Sequence, residues 1–104
     1  MEKLYIVCWG IGSCNDDGNA YAYCGIHGIY RDKESALKGL INCFDDTLED
    51  IVTDLDPDGE FPDLVDKADI RICGSEQEEF FEIDYIVGTE PHEVHIKIEE
   101  KDFN

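Results

Sequence analysis

Lys3 to Ile11 (KLYIVCWGI) is almost continuously apolar and rich in β-branched and aromatic residues, the pattern of a mid-sheet strand covered on both faces. Gly12 to Asn19 then gathers Gly, Ser, Asn and Asp, which tolerate positive φ and cap their own backbone, and predicts a hairpin loop. Tyr21 to Tyr30 reads as the returning strand, with Gly25 and Gly28 marking a bulge or a close approach of a helix above. From here the period changes. Ala36, Leu37, Leu40, Ile41, Phe44, Leu48, Ile51, Val52 and Leu55 recur at three- and four-residue steps behind Asp32, a capping residue, and predict a helix from about Lys33 to about Asp54. Pro57, Gly59 and Pro62 end it and open an acidic loop with one short turn around Asp63 to Lys67.

Period two returns afterwards. Ala68 to Cys73 predicts a third strand, Phe80 to Val87 a fourth with Phe81, Ile83, Tyr85 and Val87 inward, and Val94, Ile96 and Ile98 the buried side of a fifth. The order ββαβββ predicts an α+β fold: one long amphipathic helix packed on an antiparallel or mixed five-stranded sheet. A chain of 104 residues with 42% hydrophobic content buries one core, so residues 1–104 read as a single domain.

Charge changes this picture more than composition does. The chain carries a formal net charge of −18, and Asp45 to Asp69 holds eleven acids against one base, Lys67, which is −10 of it. Such a surface repels nucleic acid and anionic membrane and attracts basic protein surfaces. The aromatic and aliphatic content separates it from acidic disordered chains, so it is expected to fold, with added salt relieving self-repulsion. The longest apolar run, Leu4 to Ile11, is too short for a membrane span and lacks a signal-peptide pattern, which implies a cytoplasmic protein. Five irregularly spaced cysteines without a CxxC pair read as reduced thiols filling core space; zinc held by Cys8, Cys14 or Cys24 with His27 lacks the tight ligand pairs of structural sites.

The remaining candidate chemistry is thin. Asp54, Asp56 and Asp58 with Gly59 match the first half of a calcium loop, but Val65 stands where a bidentate Glu belongs and Pro57 stiffens the turn. No resident cofactor is expected. His27 is a conceivable base for Cys8 or Cys24, although nothing in the spacing unites them. His92 and His95 fall on opposite faces of one strand, and Glu82 and Asp84 on the same open face. With no phosphate-binding loop, nucleophile elbow or HExxH, the chain reads as a non-enzyme.

What stands out is the acidic face formed by Asp45, Asp46, Glu49, Asp50, Asp54, Asp56 and Asp58. Like charges at i, i+4 repel, and acids in the last turns oppose the helix macrodipole, so stability alone does not favour them. Carboxylates about 5 to 6 Å apart along a helix approach the roughly 6 to 7 Å separation of phosphates in a nucleic acid strand. Gly28-Ile29-Tyr30-Arg31-Asp32-Lys33-Glu34-Ser35-Ala36-Leu37 resembles the junction from strand to capped helix of small phage-encoded proteins, and the alternating acidic C-terminal strands look similar too. The resemblance implies a phage or mobile-element accessory protein of the anti-CRISPR or anti-restriction type, acting in the host bacterial cytoplasm. The expected function is inhibition of a defence nuclease or effector through its basic nucleic-acid-binding surface. The alternatives are an immunity protein for a basic toxin and a calcium-dependent binding module.

Overall fold

In the computed structural model, which describes residues 2–14 and 20–103, β1 (Glu2–Cys14) and β2 (Ala20–Tyr30) precede α1 (Lys33–Leu55) and a short α2 (Pro62–Lys67). β3 (Arg71–Ser75), β4 (Phe80–Val87) and β5 (Glu90–Phe103) complete the chain. All five strands form one sheet in the order β2-β1-β5-β4-β3, antiparallel throughout. The expected α+β architecture and its ββαβββ order are therefore present, with the turn expected near Asp63 formed as α2 behind Pro62. The centre of the expected hairpin loop, residues 15–19, lies outside the described residues.

Register decides which residues meet. Tyr5, Val7, Trp9 and Ile11 of β1, Val94, Ile96 and Ile98 of β5, and Phe81, Ile83 and Tyr85 of β4 pack with one side of α1. Val7, Leu40, Ile83 and Ile96 are fully buried there, and Phe44 of α1 stacks on Phe81 with ring centroids 4.3 Å apart.

Two strands depart from the sequence expectation for identifiable reasons. β5 begins at Glu90, four residues before Val94, because Gly88 takes φ +66° and lets a tight hairpin pair Val87 with Glu90. Pro91 is tolerated because it lies just beyond His92, the last β5 partner of β1. β5 then runs on through its charged end, since the first residues of β1 supply ladder partners as far as Phe103. β3 starts at Arg71, three residues later than the expected Ala68. Asp69 adopts φ +49°, and the Ala68 carbonyl accepts the Ile86 N–H at 2.8 Å, which uses this stretch as a buried turn.

β1 lies inside the sheet as expected, but only one of its faces is covered by the helix. Ile6 and Cys8 of its other face line an open concavity with Cys24 and Ile26, of which Ile26 is 60% exposed. The register shifts between Val7 and Cys8, which pair with Gly28 and Ile26 and leave His27 as the bulged residue. Gly25 admits the Trp9 indole, and Gly28 the Tyr30 ring that also abuts Gly39 of α1.

Asp32 caps α1: its carboxylate accepts the Ser35 N–H at 2.8 Å and the Ser35 hydroxyl at 3.0 Å. These bonds hold the Asp32 carboxyl below its ordinary value of 3.8. A depressed folded-state value contributes stability above the unfolded value and loses it as pH falls through the folded one. Asp32→Ala is therefore expected to lower the melting temperature by several degrees at neutral pH, a difference that closes as the pH drops below 3.8. Parallel thermal melts of both proteins from pH 7 downward check this; a gap that stays constant through the whole acid range would assign the loss to something other than the charged cap.

Candidate functional site: an acidic-walled groove with an aromatic floor

A groove of about 370 Å³ opens between the second half of α1 and the sheet. Its floor is Trp9 and Ile11 of β1, Val94 of β5 and Tyr85 of β4, while His27 enters from the β2 bulge. Its wall is Asp46, Asp50 and Asp54, with Thr47 and the buried Cys43 beneath them. The three aspartates are four residues apart, so each sits slightly more than one turn above the last, about 6 Å along the axis.

The acidic face is thereby divided. Asp45 and Glu49 are exposed but do not line the groove, and Asp58 is exposed in the following turn. Asp56 is occupied with local structure: it caps α1, and its carboxylate accepts the Phe61 N–H at 3.2 Å. Among the described residues no base forms an ion pair with Asp45, Asp46, Glu49, Asp50, Asp54 or Asp58, and α1 has no basic residue in its last turn. The wall is a row of carboxylates toward the negative end of the helix dipole, with no lysine or arginine paired to it among the described residues.

The floor is fixed in place. Tyr85 stacks on His92, its cross-strand partner, with ring centroids 5.1 Å apart and 16° between planes. Burial pushes the Tyr85 phenol up, and the nearby Asp54 charge adds to the effect, so the hydroxyl remains a neutral donor. The Cys43 thiol is likewise raised, first by burial and also by Asp46, against a hydrogen bond from Thr47 that lowers it. A neutral, buried thiol is packing material. Beyond Asp54 a second recess of about 330 Å³ continues along Leu55, Leu64, Lys67, Ile86 and Val87, with the last four exposed. The site is thus acidic on one wall and apolar on the floor, and at one end it meets a recess lined by aliphatic side chains and Lys67.

The other sequence candidates are dispersed. Asp54, Asp56 and Asp58 do not converge as a calcium site; Asp54 is helical and Asp56 is engaged with Phe61. Cys8 and Cys24 line the open face of the sheet, whereas His27 lines the groove on the helix face, so the histidine is not placed as a base for either thiol. The Cys8 thiol is raised, chiefly by burial, and approaches the Ile6 carbonyl at 3.7 Å. Cys14 lies at the edge of the described residues. His92 and His95 do occupy opposite faces: His92 on Tyr85, His95 beside Glu82 and Glu93.

The charged wall is visible in the sequence, but its floor is not. Trp9, Ile11, Tyr85 and Val94 come from three strands, and their shared inward parity is visible in the sequence; only the register places them under Asp50. Among the described residues no helix is long and apolar enough to cross a membrane. Compared with known proteins, the chain matches no family model, no curated protein and no solved structure.

Proposed function

We propose that this protein is a non-enzymatic inhibitor that seats the acidic groove on the basic nucleic-acid-binding surface of a bacterial defence nuclease or effector. It acts in the cytoplasm of the host, as expected of a phage-encoded accessory protein. The observation that carries the reading is the Asp46, Asp50 and Asp54 wall above Trp9 and Tyr85, in a groove lined by no lysine or arginine among the described residues. Side chains that bind phosphate are lysine and arginine, and arginine fits this groove better. Its guanidinium pairs with carboxylates in a fixed fork and stacks on aromatic faces, while lysine offers only a hydrated point charge. Charge complementarity of this kind also speeds encounter and falls with ionic strength. A surface that binds DNA or RNA through arginines would be blocked by occupying those arginines.

Trp9 is the only tryptophan in the chain, so its emission reports on the groove floor. Titration with a short arginine-rich peptide is expected to change Trp9 emission saturably and more tightly than a lysine-rich peptide of equal charge. Unchanged emission across the titration would overturn the proposed groove. Partners captured from a bacterial lysate are then expected to be released by competing DNA or RNA, and retention in the presence of excess nucleic acid would rule out mimicry.

A further inference from the structure

On the sheet face opposite α1, Glu82 of β4 and His95 of β5 are directly paired, and Glu93 lies two residues from His95 on the same side. The His95 Nε2 is 2.8 Å from Glu93 Oε1 and 3.8 Å from Glu82 Oε1, and one donor atom from each of the three residues lies within 4.8 Å of the others. Among the described residues this is the one group of histidine, cysteine and carboxylate side chains that converges so closely. Its neighbours on β1 are Gly10, opposite His95, and Gly12, opposite Glu93, so no side chain from that strand closes access to it.

We propose that Glu82, Glu93 and His95 form a zinc-binding site, independent of the acidic groove on the other face. Donor atoms about 2.0 to 2.1 Å from a tetrahedral zinc stand roughly 3.4 Å apart, and the two His95 separations bracket that value. All three donors belong to side chains that are at least partly exposed, so they can close on a common centre without disturbing the core. Three protein ligands leave one tetrahedral position for water. The donor set favours zinc over calcium or magnesium, because those hard cations take six or more oxygens and gain little from an imidazole.

The site needs no covalent or redox step. It also explains a residue the partner-binding reading leaves idle, because His95 faces away from α1 and from the groove.

The test is calorimetric titration of the full chain with zinc chloride in the presence of millimolar magnesium, which occupies diffuse acidic sites. One zinc per chain is expected. His95→Asn and Glu93→Gln are each expected to weaken it by more than about tenfold, with melting temperatures of the metal-free proteins near that of the wild type because both side chains are about half exposed. Replacing Asp46, Asp50 and Asp54 by Asn is expected to leave zinc affinity unchanged, which separates this site from the groove. Zinc uptake that is indifferent to His95→Asn overturns the assignment. So does uptake abolished by Cys73→Ser, the β3 neighbour opposite Glu82, with His95→Asn still binding.

Discussion

Replacing Asp46, Asp50 and Asp54 together by Asn is expected to abolish binding to an arginine-rich partner while leaving the protein folded and slightly more stable. Double-mutant cycles at charged interfaces give coupling energies of about 1.5 kcal/mol or more per close pair. Each 1.4 kcal/mol is about tenfold in affinity, so the loss of three carboxylates amounts to roughly a thousandfold. The gain in stability comes from the same change: Asp46 repels Asp50 and Asp50 repels Asp54 at i, i+4 spacing, a few tenths of a kcal/mol per pair. The comparison variant carries Asp45→Asn and Glu49→Gln, which lie outside the groove. It is expected to slow association and flatten the salt dependence, with a much smaller loss of affinity, because unburied charges act mainly on encounter. Peptide titration followed by Trp9 emission measures all of these. Equal losses in the two variants would mean that total charge matters and the groove does not. Unchanged binding in both would move the contact to the exposed apolar recess of Leu64, Ile86 and Val87.

Leu40→Ala is expected to have the largest effect on the fold. Leu40 has no exposed surface and sits in the cluster that joins α1 to Val7, Ile83 and Ile96, so truncation removes contacts on both layers at once. Losses of about 2 to 5 kcal/mol are typical at such sites, against a total stability of about 5 to 15 kcal/mol for small domains. At about 4 to 8 °C per kcal/mol, the melting temperature falls by at least 8 °C or so. Salt decides how visible this is. With a net charge of −18, repulsion is strongest at low ionic strength, where the screening length is about 30 Å at 0.01 M against about 3 Å at 1 M. The variant is expected to be largely unfolded in dilute buffer and to recover helical circular dichroism as salt is added. Leu64→Ala, at a side chain 43% exposed, is expected to stay within about 0.5 kcal/mol of the wild type. If Leu40→Ala melts within two or three degrees of the parent, α1 is not docked through that position.

How far the chain could be read follows from the range of the interactions involved. α1 was legible almost to the residue, because Asp32, the three- and four-residue apolar steps and Pro57 all act within a few positions of one another. β4 was legible for the same reason: FFEIDYIV alternates cleanly between a turn on each side. β5 was not, since its Glu99 to Asp102 stretch is polar on both sides and is a strand only because β1 offers it a ladder. The apolar run in β1 marks a strand inside the sheet, yet among the described residues its hydrophobicity on the open side has no covering layer.

The candidate site divides along the same line. That a row of aspartates without countercharge lies on the later turns of α1 is a property of the sequence, since helical period and the scarcity of bases are both local. That Asp46, Asp50 and Asp54 face a groove while Asp45 and Glu49 do not depends on how α1 is rotated against the sheet, which the burial of Leu40, Cys43 and Ile51 decides. The pairing of Glu82 with His95, and the approach of Glu93 to both, depends on a hairpin register set by a two-residue turn. By itself, then, the sequence determined the elements, the sign of the surface and the helix that carries it. Only the tertiary structure decided which charges share a groove with Trp9 and Tyr85 and which side chains converge on the other face, because contacts between distant residues arise from packing and strand register, on which local pattern is silent.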